Sequence, residues 1–457
     1  MQKRERLGSR LGFILISAGC AIGLGNVWRF PSMVGKYGGG AFILLYIVFL
    51  VIIGLPVLTA EFAVGRGSQR SIVGSFRRLE PKGTKWHIFG WFGLAGNYLL
   101  MMFYTTIAGW MLAYFFKFIT GEFYAGQTTE QVKGVFTDLS GSPEASVLYM
   151  AVIVALGFLI CSLGLKKGVE RITKIMMIGL LAIIVVLVVR AVTLEGAEEG
   201  IAFYLIPDFE RLFAQNGGTA VFEAMGQAFF TLSIGMGSMA IFGSYLGRER
   251  TLLGEAVNVT ILDTFVAVMA GLMIFPACFA YGIEPNSGPP LIFETLPNVF
   301  NDIPGGRIWG AVFFLFMVFA ALSTVVGVFE NIMAVSMDER GWSRRKAALT
   351  NGIILFVLSV PAALGSNLLA GFAPFGGTSS VIELEDFIIS KNIQPLGAVV
   401  YLLFCASKQG WGYENFIAEV DCGKGIRFPS RFRFYTGVIL PLIIIVIFVQ
   451  GYLATFS

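Results

Sequence analysis

Ser17-Ala-Gly-Cys-Ala-Ile-Gly-Leu-Gly-Asn26-Val-Trp-Arg29-Phe-Pro31 is the stretch that decides the fold. It lies inside an apolar run at about residues 10–35, yet it holds three glycines within seven residues, followed by Asn26, Arg29 and Pro31. Glycine weakens a helix interior and proline removes a backbone donor, so a continuous helix is poorly supported there. At membrane depth, backbone freed from helical pairing survives only where it is buried in protein or lines a cavity. A second stretch, Gln227-Ala-Phe-Phe230-Thr231-Leu-Ser233-Ile-Gly235-Met-Gly237-Ser238, interrupts a later apolar run in the same way. One such break can be explained by small residues at a helix contact. Two, at the first and sixth runs, are at corresponding positions if runs one to five and six to ten are two related halves. That pattern predicts a central site faced by half-helix termini.

Working outward, the composition sets the solvent. Of 457 residues, 56% are hydrophobic and 14% charged, the mean hydropathy is +0.76, and there are 56 glycines. A chain folded in water needs more charge than this, so one membrane domain over 1–457 is expected rather than several soluble ones. A spanning helix needs about 20 apolar residues. Eleven runs qualify: about 10–35, 41–65, 88–120, 146–164, 168–192, 219–246, 254–282, 307–337, 345–364, 384–407 and 433–455. The predicted class is therefore all-α and polytopic.

Lysine and arginine orient the chain. Of 33, 25 fall on the side of the N-terminus, in clusters such as Arg66–Lys85 and Lys408–Arg433, while opposite loops carry Glu195, Glu198, Glu199, Asp208 and Glu210. The expectation is a multi-pass protein of the cell membrane, N-terminus cytoplasmic and C-terminus extracellular. MQKRERLGSR runs straight into the first span and does not read as a cleavable signal. Cys20, Cys161, Cys278, Cys405 and Cys422 lack the spacing of a disulfide framework or zinc site, and His87 is the only histidine.

Charge is expensive inside a membrane, so ionisable residues there are functional candidates. Arg29, Glu61, Asp263 and Glu330 lie in apolar runs. Arg29 and Glu330 could instead sit near helix ends and reach water. Glu61 is expected to accept hydrogen bonds from amides freed by the helix breaks. Asp263 needs a cation or a proton beside it. In Ala320-Ala-Leu-Ser323-Thr324, adjacent hydroxyls can simply bond back to the preceding turn, or can serve a hard cation that takes oxygen ligands. Gly235-Met-Gly237-Ser-Met-Ala240 fits a dinucleotide glycine pattern, but it follows no strand and lies within an apolar run, so it is read as coincidence.

The chain resembles the neurotransmitter:sodium symporter family, in its bacterial amino-acid branch. The motifs are GLGNVWRFP (23–31) with Gly38-Gly39-Gly40, then QAFFTLSIGMG (227–237) with FGSY (242–245), then AALST (320–324). The resemblance covers nearly the whole chain. It implies the leucine-transporter fold, a five-plus-five inverted repeat (first repeat about 10–192, second about 219–407, with an accessory helix at about 433–455) with helices one and six unwound, and two sodium sites. The first would use Ala21, Asn26, Thr231 and Asp263 with the substrate carboxylate. The second would use the carbonyls of Gly19, Ile22 and Ala320 with the hydroxyls of Ser323 and Thr324, in reversed order from the family's usual Thr-Ser.

The same resemblance places an amino-acid carboxylate at Gly23, Leu24, Gly25 and Tyr104, and its ammonium at carbonyls of Ala21, Phe230 and Thr231. Its side chain would enter a pocket of Leu100, Tyr104, Phe230, Ser233, Met236, Ser238, Ser323 and Val328. That lining implies a neutral, hydrophobic substrate, and Met236 implies tolerance of large aliphatic and aromatic side chains. The outer gate would be Arg29–Asp386 with Gln227 nearby and Phe230 as lid; the inner gate would be Arg4–Asp338 near Tyr245. Asp263, with Tyr46, Gln227, Thr231 and Ala267 around it, would supply the charge that chloride supplies in animal relatives, which implies chloride independence. Protonation of that carboxylate in the sodium-free state would make proton antiport possible. Two positions depart from the family: Leu7 stands where an N-terminal tryptophan is common, and Ile178 stands ten residues after Gly168 where a proline is common.

The function implied is sodium-coupled import of an amino acid, with no organic cofactor and no nucleic-acid partner. A channel would need a continuous polar path, and the spans hold compact polar islands instead. An enzyme would need a nucleophile and base, which the motifs do not assemble. A transporter-like sensor that binds without turnover is the alternative that sequence leaves open.

Overall fold

A computed structural model describes residues 5–214, 217–282, 291–377 and 379–456. It is helical throughout its spans, and each of the eleven apolar runs has a helical counterpart. Nine are single helices long and apolar enough to cross a membrane: Gly40–Ser68, His87–Thr120, Pro143–Ser162, Leu165–Val192, Leu252–Ala280, Gly306–Arg340, Arg344–Ala363, Val381–Ala406 and Ser430–Leu453. These are spans two to five and seven to eleven. Span one is a pair, Arg10–Ala21 and Gly25–Lys36, bent by 55° at its break. Span six is also a pair, Gly217–Thr231 and Ser238–Ser244, neither half long enough to cross alone.

The breaks follow from local chemistry. In span one, helix ends at Ala21 and Ile22 is extended (ψ 106°), after which Gly25–Arg29 forms a wide π-helical turn. In span six, Ser233, Gly235 and Gly237 have φ of 51°, 91° and 72°. Glycine adopts this left-handed region freely; Ser233 does so at a cost of about 1–2 kcal/mol and is held by its surroundings. A side chain at Gly235 would strike the carbonyl of Gln394 in span ten, so the closeness of the two chains also demands glycine.

Spans three and eight form the centre. In span eight the apolar window is 83% buried, against 28% in span eleven, so span eight is a core helix and span eleven faces outward. Shorter helices cap the bundle: Ile72–Leu79 after span two, Thr129–Gly141 before span four, Ala197–Leu205 before span six, and Tyr413–Val420 before span eleven. Arg66 at the end of span two is fully buried and fixes the last of these, donating to Glu419 at 2.6 Å and to the carbonyl of Arg250 at 2.7 Å.

Candidate substrate and ion site

The two breaks face each other at the middle of the bundle. The Ser233 hydroxyl donates to the Cys20 carbonyl at 3.2 Å, which ties span six to span one. Glu61 in span two is fully buried and accepts from the amides of Gly235 (2.5 Å) and Met239 (3.2 Å), donors that an unbroken helix would have satisfied itself. One carboxylate thus stabilises the broken backbone of span six.

Beside the break in span one, the Tyr104 hydroxyl accepts from the Leu24 amide at 3.1 Å. A Cβ at Gly23 would collide with that hydroxyl and come within 2.6 Å of Thr324 Oγ1. Only glycine lets spans one, three and eight meet here. The Thr324 hydroxyl lies 3.3 Å from the Gly19 carbonyl, 3.2 Å from that of Ile22 and 3.4 Å from that of Ala320. Ser323 Oγ donates to the same Ala320 carbonyl at 2.9 Å. Three carbonyls and two hydroxyls therefore gather at one place, a donor set of neutral hard oxygens that suits a small monovalent cation.

A second polar centre surrounds Asp263, fully buried in span seven. Asn26 Nδ2 donates to Asp263 Oδ1 (2.8 Å) and to its carbonyl (3.1 Å), and Asn26 Oδ1 accepts from the Gly23 amide (3.0 Å). Thr231 donates to Asp263 Oδ2 at 3.0 Å. The Tyr46 hydroxyl lies close to Thr231 and Asp263 without completing a well-formed hydrogen bond, and the Gln227 amide oxygen lacks a partner among the described residues. Gln227 Nε2 is committed to the Gly25 carbonyl at 2.8 Å. Ala267, one turn beyond Asp263, adds no hydroxyl. A buried carboxylate needs a cation or a proton beside it.

Between these centres lies a cavity of about 10 Å³, lined by Ala21, Gly23, Gly25, Leu100, Tyr104, Phe230, Ser233, Thr324 and Gln394. This is room for about one water, so an amino acid requires the walls to part. Leu24, Thr231, Met236, Ser238, Ser323 and Val328, expected at the ligand, are buried but do not line it. The Ser238 hydroxyl is occupied by Asn97 at 2.8 Å, and the Met236 carbonyl accepts from Asn97 Nδ2 at 2.9 Å. Gln394 was not anticipated. It is buried, its amide oxygen has no partner among the described residues, and its one sequence signal is a carboxamide ahead of Pro395 in an apolar run.

Both ends of the path are closed. On the side away from the N-terminus, Arg29 lies 3.5 Å from Asp386, 3.9 Å from Glu223 and 2.9 Å from Ser390 Oγ. Its guanidinium stands over the Phe230 ring at 4.7 Å. A tighter pair, Lys391–Glu223 at 2.7 Å, joins span ten to span six. Neither partner is marked by the sequence, because both lie near span ends where charge is ordinary. On the N-terminal side, Arg4 lies outside the described residues. Asp338 accepts from the Ser71 amide at 2.6 Å. Tyr245 donates to Glu330 at 2.7 Å, and Arg344 grips the same carboxylate with two donors at 2.7 and 3.0 Å. Glu330 is thus a buried partner within the closure on the N-terminal side, not a helix-end residue reaching water.

The two departures from the family have visible counterparts. Leu7 is half-buried against the core, and the segment after it is held by Glu170, which accepts from the Gly8 amide (2.7 Å) and Lys174 (3.0 Å). Arg10 pairs with Glu255 at 2.8 Å. Span five begins with a π-helical turn, Leu165–Glu170, while Ile178 continues an ordinary helix and is exposed.

Comparison with known proteins agrees with this architecture. A family model described as the sodium:neurotransmitter symporter family matches residues 4–134 and 122–456. YhdH of Bacillus subtilis (strain 168), an uncharacterized sodium-dependent transporter, is 34% identical over 98% of each chain. The sodium-dependent serotonin transporter of Drosophila melanogaster is 27% identical over 98% of this chain and 76% of its own. The crystal structure of MhsT in complex with L-phenylalanine superposes with a TM-score of 0.88 at 38% identity, over 98% of this chain and all of that one. Broken spans one and six, the oxygen-rich centres between them and the extent of these matches lead to one conclusion: the chain belongs to the sodium:neurotransmitter symporter family and is a sodium-dependent membrane transporter of the leucine-transporter fold.

Proposed function

We propose that this transporter imports a neutral, hydrophobic amino acid together with sodium across the cell membrane, by alternating access and without chloride. The observation that carries the reading is the meeting of amide and carbonyl ends at one small cavity. An amino acid presents an anion and a cation about one carbon apart. The freed amides after Gly23 and the Tyr104 hydroxyl suit the carboxylate, and the carbonyl ends at Ala21, Phe230 and Thr231 suit the ammonium. Leu100 and Phe230 leave an apolar wall for the side chain. MhsT, which is similar over its full length, was crystallised with L-phenylalanine.

Two sodium ions are assigned. One sits among Gly19, Ile22, Ala320, Ser323 and Thr324, the other among Ala21, Asn26, Thr231 and Asp263. Asp263 provides the fixed negative charge, so no chloride is needed. With the lysine- and arginine-rich side cytoplasmic, Arg29, Asp386, Glu223 and Lys391 close the outer path, and Tyr245, Glu330 and Arg344 close the inner one. Arg29–Asp386, long at 3.5 Å and with Asp386 partly exposed, is the kind of weak pair that suits a gate opening in each cycle.

The test is uptake of labelled leucine, phenylalanine and tryptophan into proteoliposomes, comparing an inward sodium gradient with potassium, each with chloride or gluconate. Saturable uptake that needs sodium and ignores chloride supports the reading. Sodium-dependent binding without flux would replace it with a sensor; uptake that vanishes in gluconate would overturn the role given to Asp263.

A further inference from the structure

Outside the substrate and ion site, a groove of about 530 Å³ runs between span four and span nine. Its walls are apolar: Val154, Phe158 and Leu159 on one side, Leu349, Ile353 and Phe356 on the other. Its lining extends from Ala151 to Ser162 and from Phe356 to Arg345. Eleven helical steps make about 16 Å, close to the depth of one leaflet in a hydrocarbon core of about 30 Å. The groove therefore has the length and chemistry of one acyl chain.

The charge at its mouth is equally specific. Ser162 and Arg345 close the end nearest the N-terminal side. Arg344 turns inward to Glu330, but Arg345 points to the surface and has no ion pair among the described residues. Lys166 and Lys167, just beyond the end of span four, are also exposed and without an ion pair there. An unpaired cation at the mouth of an apolar slot, with two more past the end of one of its walls, calls for an anion attached to a hydrocarbon tail. A second copy of this chain is the poorer occupant, because a two-fold contact through this groove would bring the same cations together.

We propose that the groove between spans four and nine is a binding site for an anionic phospholipid of the leaflet on the N-terminal side, with one acyl chain along Val154–Leu159 and Leu349–Phe356 and its phosphate at Arg345. The site is separate from the transport reading, and its test does not need flux.

Purified protein, stripped of lipid and titrated with phosphatidylglycerol or phosphatidylcholine, is read by native mass spectrometry. One phosphatidylglycerol per chain should be retained in preference to phosphatidylcholine. Arg345→Gln should weaken phosphatidylglycerol retention about fivefold, as expected for loss of one cation near a membrane surface, and leave phosphatidylcholine unchanged. Ala155→Trp fills the groove without altering charge and should weaken retention of both lipids. Both substituted positions are exposed, and helical content and monodispersity should match the parent protein. Equal retention of the two lipids would overturn the proposal. So would loss with Arg345→Gln but none with Ala155→Trp, which would mean a headgroup held at the surface only. A dimer abolished by Ala155→Trp would mean that a second copy occupies the groove.

Discussion

The two candidate ion sites are built from different materials. The site between spans one and eight consists of backbone carbonyls of Gly19, Ile22 and Ala320 drawn around the Thr324 hydroxyl at 3.2–3.4 Å, with Ser323 bonded to the Ala320 carbonyl. The site between spans one, six and seven consists of side chains, with the fully buried Asp263 carboxylate at its centre. A carbonyl site carries no net charge and exists only while the helix breaks hold. A carboxylate site carries a charge that a single substitution removes. The first depends on the fold of the chain and the second on the identity of one residue.

The largest expected effect tests that contrast directly. Asp263→Asn removes a buried, hydrogen-bonded charge, worth about 3 kcal/mol, so uptake at fixed sodium should fall about 100-fold. Combining it with Ala267→Ser and adding chloride should recover part of the loss. Recovery with chloride absent would show that the charge was never the determinant.

Glu61→Gln probes the other side of the comparison, because the carbonyl site rests on the broken backbone. Glutamine keeps one acceptor and loses the charge, leaving the Gly235 or Met239 amide poorly satisfied at a cost of about 2 kcal/mol. The thermal unfolding midpoint in detergent should drop by several degrees, and sodium should protect the variant less than the parent. An unchanged midpoint would mean that span six holds its break without Glu61.

Thr324→Val takes away one hydroxyl while every carbonyl remains. Sodium affinity, read from the sodium dependence of uptake, should weaken about tenfold, or about 1.4 kcal/mol, and Thr324→Ser should restore it. Loss in both variants would place the effect in packing around Gly23 and not in the ligand set.

The smallest effect belongs to the gates that both sites share. Lys391→Gln breaks a pair that is mostly buried, both side chains being about 15% exposed. Because Arg29, 3.9 Å away, still faces Glu223, release of bound labelled amino acid to the outer side should quicken only about fivefold, or about 1 kcal/mol. Asp386→Asn should do less, since Asp386 is 38% exposed and its contact with Arg29 is longer. The reverse order would restore Arg29–Asp386 as the principal outer closure.

Much of this molecule can be read in one dimension because a membrane imposes a simple rule. Each span must be apolar over about 20 residues, so the eleven runs were visible directly, and their helices lie within a few residues of the expected bounds. The breaks were visible for the same reason: Gly23, Gly25, Gly235 and Gly237 stand where a spanning helix would otherwise be continuous. Charge inside an apolar run marked Asp263, Glu61 and Arg29 without reference to any neighbour.

The partners of those residues were not legible, since pairing depends on which spans lie side by side. Glu223 and Lys391 are 168 positions apart and meet only because spans six and ten are adjacent. Glu330 could be read as a helix-end residue until Arg344 and Tyr245 were seen to reach it. Gln394 carries no charge and broke no pattern, yet the fold turns it toward the cavity. The narrowness of that cavity, about 10 Å³, is likewise a property of the closed arrangement of spans one, three, six, eight and ten. Sequence by itself determined the solvent, the number of spans, the two interruptions and the buried charges, because hydropathy and backbone propensity are local. Only the tertiary structure decided which oxygens converge, which charges pair and how closed the path is, because those depend on distances between helices far apart in the chain.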